Sequence, residues 1–175
     1  MFKTLFKRQT QDRHVQALYA LAVDQARQPD FYTRLGVADR IDARFELYTL
    51  HVLLLFVRLK QDGERGADLS QKLFDAYVSA LDNVLRELGV GDVSVGKKMR
   101  KLGEALYGRM SAYEKALRAG DHEGLQASIA RNVFESEDAA AGAALARYTI
   151  DSHERLARQP SAAVEKAPDW AMIVA

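Results

Sequence analysis

The fold is decided by residues 42–59, which read DARFELYTLHVLLLFVRL. After Glu46 this stretch is apolar on nearly every side, a pattern typical of a helix buried at the centre of a helical protein. The apolar run is interrupted at His51, and it is shorter than the about 20 apolar residues that a bilayer-spanning helix needs. The stretch therefore predicts a central core helix rather than a membrane span.

Apolar residues recur at helical spacing through the rest of the chain, and no segment shows the alternation of a strand. The sequence predicts an all-α, single-domain bundle of about six to seven helices around the central apolar helix. We expect a helical domain over residues 1–160 and a C-terminal tail over residues 161–175. The tail carries Trp170, Met172, Ile173 and Val174, so we expect it to pack on the domain or on a neighbouring molecule.

Local signals predict where individual helices begin and end. Asp39 is expected to cap the central helix, which would run to about Lys60. Residues 61–66, QDGERG, are expected to form a loop because they are polar and contain two glycines. Ser136 is expected to cap the final helix, which would end before Pro160.

Composition excludes several classes of function. The chain has 175 residues and no cysteine, which rules out disulfides, iron–sulfur clusters, thiolate zinc sites and cysteine nucleophiles. Hydrophobic residues make up 48% and charged residues 28%, as in a soluble globular protein. The formal net charge is only +1, so attraction to nucleic acid or a membrane would require local clustering of charge.

No pattern of residues predicts a catalytic centre, a metal site or a cofactor. None of the four histidines follows a glutamate at the Glu-x-x-His spacing of di-iron bundles, and no phosphate-binding loop or nucleophile elbow occurs. His51 is best interpreted as a core histidine whose hydrogen bonds are satisfied by a neighbouring helix. We therefore expect neither enzymatic activity nor a small-molecule substrate.

A long helix at about residues 94–118 carries the candidate binding surface. Its apolar residues form one stripe at steps of three and four. Around that stripe lie one aromatic and five basic residues: Tyr107, Lys97, Lys98, Arg100, Lys101 and Arg109. They suit RNA phosphate or a polypeptide with acidic loops, whereas the alternative is a solvated face whose lysines serve solubility. Arg109 borders the stripe, where it is placed to pair with Asp42 or Glu46.

The N-terminal residues 1–8, MFKTLFKR, mix apolar and basic side chains. They predict either a short amphipathic turn on an anionic membrane or a solvated terminus.

Several segments together resemble one known family. They are DARFELYTLH at residues 42–51, RL at 58–59, LRELGVGD at 85–92, VGKKM at 95–99, LYGR at 106–109 and YEKAL at 113–117. In this order and spacing the chain resembles the ubiquinol-cytochrome c chaperone family, assembly factors for the cytochrome b subunit of respiratory complex III. The resemblance covers about residues 30–150.

The resemblance implies a non-enzymatic chaperone that binds newly synthesised cytochrome b, with the ribosome or a small partner protein as further contacts. It implies a partner-binding surface of Lys97, Lys98, Arg100, Lys101, Tyr107 and Arg109, and structural roles for Asp42, Phe45, Glu46, His51, Arg58, Gly91 and Asp92. Because no organelle-targeting segment is evident, we expect a bacterial protein of the cytoplasm that visits the inner membrane surface. The rival hypotheses are an RNA- or ribosome-binding helical module without a cytochrome b client and a small scaffolding subunit.

Overall fold

The structure is a computed structural model that describes the backbone of residues 2–87 and 92–174. Side chains are described for the same residues except 2–12, 85, 92–95 and 97–99. The helices are α1 (Phe2–Ala26), α2 (Pro29–Thr33), α3 (Ile41–Leu59), α4 (Gly63–Glu87), α5 (Asp92–Ala119), α6 (His122–Val133), α7 (Ala143–Arg158) and α8 (Ser161–Val164). Six of them have 12 or more residues, and the described residues contain no strand, which confirms the all-α prediction.

Helix α3 occupies the centre of the bundle. Every residue from Thr49 to Leu59 is buried, and α3 contacts α1, α4, α5, α6 and α7. Complete burial of one leucine or valine side chain contributes about 1.5–3 kcal/mol, so this helix supplies a large share of the hydrophobic stabilisation. The prediction of a central apolar helix is confirmed.

The start of α3 differs from the expected Asp39 cap. Its N-terminal flanking residue is Arg40, which has an extended backbone and no side-chain capping bond. The Asp39 carboxylate instead accepts a hydrogen bond from the Arg44 guanidinium. The capping prediction was wrong because α3 begins at Ile41, so that Arg40 and not Asp39 occupies the flanking position.

The predicted loop at residues 61–66 is also replaced by helical structure. Lys60–Asp62 forms a single 3-10 turn, and α4 begins at Gly63, whose positive φ of 64° reverses the chain. Gly66 then lies against the end of α3, where an added Cβ would stand 1.9 Å from the Leu59 carbonyl oxygen. The two glycines therefore serve a tight connection and a close helix contact rather than an open loop.

The last long helix is preceded by an aspartate cap rather than by Ser136. The Asp138 carboxylate accepts the N–H of Ala140, and a 3-10 turn at Ala139–Gly142 leads directly into α7. The Ser136 hydroxyl instead lies in the preceding turn, where it accepts the Asp138 N–H. Helix α7 ends at Arg158, as the sequence predicts for a helix that stops before Pro160.

The chain after α7 packs back on the domain, which is one of the two outcomes expected for the tail. The Trp170 ring lies edge-on to the buried His51 ring, with centroids 5.1 Å apart. The Ala171 N–H donates to the Ser152 hydroxyl, and Arg155 pairs with Asp169 at 2.6 Å. These contacts fix the segment to the outside of α7.

Replacing Trp170 with alanine should therefore destabilise the fold. We expect Trp170→Ala to lower the free energy of unfolding by about 2 kcal/mol, because the half-buried ring leaves a gap beside His51. Urea denaturation of the full chain measures this change. Met172→Ala is the matched control, since Met172 is 79% exposed and its loss should change stability by less than about 0.5 kcal/mol. Equal stability of the two variants would contradict the packing role of Trp170.

Candidate functional site

The side of α5 that faces away from the core carries exposed basic and aromatic residues. We call this surface the α5 outer face; it consists of Arg100, Lys101, Tyr107, Ser111, Lys115 and Arg118. Tyr107 is 77% exposed, which is unusual for an aromatic side chain in the middle of a long helix. The arrangement follows from the helical period, because the apolar stripe of Leu106, Met110 and Tyr113 is buried on the opposite side.

Arg118 of this face pairs with Glu114 at 2.9 Å, whereas the other three cations are only weakly held by side chains of the described residues. The Nε atom of Arg100 lies 3.9 Å from Oε1 of Glu104, and both side chains are largely exposed. Lys101 and Lys115 have no ion pair within the part of the chain that the structure describes. Such cations contribute little to folding and are free to meet a partner.

Four of the residues singled out from the sequence lie partly or wholly outside the described residues. Lys97 and Lys98 belong to α5, but their side chains are outside the described part. The same holds for Asp92, which begins α5. Gly91 is outside the described residues altogether. For these four, the roles assigned by resemblance stay predictions.

Arg109 points away from the outer face and pairs with a buried carboxylate. Its Nε atom lies 3.1 Å from Oε1 of Glu46, whose side chain is only 5% exposed. The expectation that Arg109 pairs internally with Asp42 or Glu46 is therefore confirmed for Glu46. The ion pair connects α5 to α3 and leaves the outer face uninvolved.

Burial dominates the electrostatics of Glu46. Removal from water raises the pKa of this carboxyl to about 7, Arg109 opposes the rise and Asp42 adds to it. A guanidinium at 3.1 Å would normally keep a carboxylate ionised, but here it reaches only one oxygen. The other oxygen, Oε2, is buried without a hydrogen-bond partner, so desolvation prevails.

His51 lies in a hydrogen-bond chain that joins three helices. Its ring nitrogens contact the Leu47 carbonyl oxygen at 2.7 Å and the Tyr148 hydroxyl at 2.8 Å, and Gln25 donates to the same hydroxyl. Burial lowers the pKa of His51 to about 4, so the ring is neutral, with Nδ1–H donating to Leu47 and Nε2 accepting from Tyr148. The interpretation of His51 as a core histidine satisfied by a neighbouring helix, α7, is confirmed.

The other residues predicted to hold the fold take three different positions. The buried Arg58 donates from Nε to the Leu156 carbonyl and from Nη1 to Asp62. Phe45 is half-buried and stacks against Tyr77, with ring centroids 6.4 Å apart. Asp42 is exposed in the first turn of α3, where a carboxylate complements the helix dipole.

An apolar groove beside the outer face is a feature that the sequence analysis missed. It lies between α3, α4 and α5 and has a volume of about 450 Å³. Leu53, Phe56, Phe74 and Met110 line it, together with Tyr107 and Ser111 from the outer face. Since its walls come from three helices distant in sequence, periodicity within any one helix could not reveal it.

Two further properties of the described residues bear on function. No three histidine, aspartate or glutamate side chains of the described part come together as a group that would hold a metal ion. Nor does any helix among the described residues combine the length and apolar character that crossing a bilayer requires.

Comparison with known proteins shows what the chain is related to. The family model described as ubiquinol-cytochrome C chaperone matches residues 33–169, which include α3 to α7 and the groove. The chain belongs to the ubiquinol-cytochrome c chaperone family. This confirms the resemblance drawn from residues 30–150.

Relatives of this chaperone family include both animal and bacterial proteins. The chain is 22% identical over 120 residues to the ubiquinol-cytochrome-c reductase complex assembly factor 1 of Xenopus laevis, covering 69% of this chain and 60% of that protein. For the human protein of the same name it is 25% identical over 117 residues, covering 67% of this chain and 39% of that protein. The chain thus spans less than two thirds of the length of these relatives.

A solved structure shares almost the whole fold. The crystal structure of the Cbp3 homolog from Brucella abortus matches with a TM-score of 0.85 and 31% sequence identity, covering 99% of this chain and 98% of that one. The helical arrangement around α3 is therefore that of the chaperone family.

The buried carboxyl of Glu46 gives this family member a testable pH dependence. Because the pKa of Glu46 is about 7 in the folded protein and 4.5 in the unfolded chain, the folded protein holds a proton between these pH values that the unfolded chain releases. The contribution of Glu46 to stability should thus fall as pH rises from about 4.5 to 7, by roughly 3 kcal/mol. Glu46→Gln should remove this loss, as urea denaturation at pH 4.5 and pH 8 would measure.

The experiment compares differences between variants, because His51 titrates with the opposite sign. Its lowered pKa makes stability fall as pH drops from 6.5 towards 4, and this contribution is common to the wild type and Glu46→Gln. Glu64→Gln, at an exposed carboxylate of α4, is the control. A difference curve of the same shape for both variants would contradict the role of Glu46 burial.

Proposed function

We propose that this protein is a non-enzymatic assembly chaperone of ubiquinol-cytochrome c reductase and that its client is newly synthesised cytochrome b. The observation that carries the proposal is the family match over residues 33–169, which includes α3, all of the groove walls and all of the α5 outer face. The names of the related assembly factors support the same role.

The geometry of the site supports reversible binding of a polypeptide. A chaperone needs surface that its own fold leaves available, and the α5 outer face supplies an exposed tyrosine and cations beside an apolar groove. An apolar groove suits the apolar segments of an unassembled client, whereas the adjacent cations suit acidic loops. No cofactor or small-molecule substrate is needed for this function.

The proposed setting is the bacterial cytoplasm, with peripheral visits to the inner membrane surface where the client is inserted. The ribosome and a small partner protein are further proposed contacts, since a newly made client is met during or soon after synthesis. These contacts would use the remaining cations of α5, including Lys97 and Lys98.

An RNA-binding module is the alternative that the exposed cations favour. Arg100, Lys101 and Lys115 offer charge for phosphate, and Tyr107 offers a ring on which a base could stack. Affinity for RNA would fall linearly with salt concentration on a log–log plot, whereas capture of an apolar client would persist. The groove favours the polypeptide client because phosphate binding has no use for it.

The proposal predicts a loss of cytochrome b when the outer face is reversed in charge. The triple variant Arg100→Glu, Lys101→Glu and Lys115→Glu should keep the wild-type melting temperature, because exposed cations contribute little to folding. In cells lacking the native protein it should restore several-fold less cytochrome b than the wild type does. Haem spectra and immunoblots of membranes provide the measurement.

A charge-matched variant serves as the control. This control variant reverses three exposed cations on other parts of the chain, with the substitutions Arg13→Glu, Arg147→Glu and Lys166→Glu. It should restore cytochrome b fully. Normal cytochrome b with the α5 triple variant would remove the outer face from the proposal, and normal reductase assembly in cells without the protein would overturn the chaperone function itself.

A further inference from the structure

We propose that the groove between α3, α4 and α5 is the docking site for an amphipathic helix of the client, apolar on the side that enters the groove and acidic along its flanks. This inference rests on the proposed function, because it names the part of the client that the site binds. Charge complementarity and the composition of the groove support this occupant.

The groove presents the side chains that usually anchor a helix. The rings of Phe56 and Phe74 form an aromatic pair with centroids 6.1 Å apart. Met110 and Leu53 complete the apolar lining. Tyr107 lies at the margin with most of its ring in solvent. Methionine adapts to varied apolar partners, and tyrosine is among the residues that often dominate binding energy. A volume of about 450 Å³ admits side chains of a partner rather than a folded domain.

The surroundings of Tyr107 allow another backbone to approach closely. Gly103 and Gly108 lie on either side of it on α5, and an added Cβ at either position would meet no atom within 4 Å. The distance between packed helices depends on the side chains at their contact, so these glycines permit a short separation. A hydrophobic groove walled by helices suits an amphipathic helix, which lays its apolar face into such a groove.

The charges near the groove indicate which charge the docked helix should carry on its flanks. Glu114 lies at one end and is shared by two cations, with Lys60 and Arg118 each 2.9 Å from one of its oxygens. Lys115 follows on the same helix, and Lys101 lies about 1.7 turns before Tyr107, about a third of the way around α5 from it. The α5 side of the groove thus has an excess of cations: Lys60, Arg100, Lys101, Lys115 and Arg118 against the two carboxylates Glu104 and Glu114. Acidic residues on the docked helix would complement them.

One polar group of the groove lacks a partner in the free protein. Ser70 is nine-tenths buried and lines the groove, and its hydroxyl makes no hydrogen bond. A buried hydroxyl without a partner is costly, so its presence on an apolar surface favours an occupant that brings a polar group to it. A serine or threonine among the apolar residues of the docked helix meets this need.

The test uses a synthetic helical peptide as the probe. A fluorescein-labelled peptide of five turns would carry leucine and phenylalanine at helical spacing, one threonine, and glutamates on both flanks. Its binding to the full chain is followed by fluorescence anisotropy. We expect it to bind at least tenfold more tightly than the same peptide with lysine flanks, and the ratio should shrink as salt screens the charges.

Variants of the chain locate the binding site. Tyr107→Ala should weaken binding of the acidic peptide five- to tenfold, and Ser111→Trp should block it by filling the groove margin. Both positions are exposed, so circular dichroism and melting temperature should match the wild type. Ile41→Ala is the matched control, since Ile41 is 65% exposed on another helix and its loss should leave binding unchanged.

Each outcome separates the groove from the chaperone function. Equal affinity for both peptides, or affinity unaffected by Tyr107→Ala and Ser111→Trp, overturns the groove inference even if cells without the protein lose cytochrome b. Tighter binding of an oligoribonucleotide than of the acidic peptide, abolished by Lys101→Glu alone, also overturns it. Groove-dependent peptide binding together with normal cytochrome b in cells lacking the protein would overturn the proposed function instead.

Discussion

The arrangement of the other helices depends on a central helix that is buried on every side and still carries polar residues. The energetic cost of an unpaired buried polar group exceeds the net gain from an ordinary hydrogen bond, so each such residue requires a partner. Thr49 meets the Tyr77 hydroxyl of α4, and His51 meets the Tyr148 hydroxyl of α7. Glu46 pairs with Arg109 of α5. The polar residues of α3 thus give α4, α5 and α7 one contact each.

This division of contacts explains how α5 can have a stable inner side and an available outer side. Arg109 and the apolar stripe fix the helix to α3, so the exposed cations are not needed for that attachment. The two functions lie on opposite sides of one helix, which allows the outer side to bind and release a partner without loosening the core. Arg109 therefore holds α5 against α3, although its charge suggested a role on the binding surface.

The same logic accounts for the segment after α7. Arg58 at the end of α3 donates to the Leu156 and Gln159 carbonyls at the end of α7, and to the Ser161 hydroxyl at the start of α8. Glu165 is bound in turn by Arg65 of α4 and His14 of α1. Side chains of α1, α3 and α4 therefore hold the segment around α8 in place. This packing covers part of the apolar surface of the tail, since Trp170 and Ile173 pack against the core whereas Met172 and Val174 remain exposed.

The sequence by itself determined the helical class, the central place of α3 and the core role of His51, because period and burial are encoded in neighbouring residues. It also predicted that Arg109 would pair with Asp42 or Glu46, and the packing of α5 on α3 selects Glu46. Only the tertiary structure decided that residues 61–66 form a tight connection, since polar glycine-rich segments suit loops and close helix contacts alike. The groove and the Tyr148 and Trp170 partners of His51 were likewise decided by tertiary packing, because they join residues up to 119 positions apart that no local pattern connects.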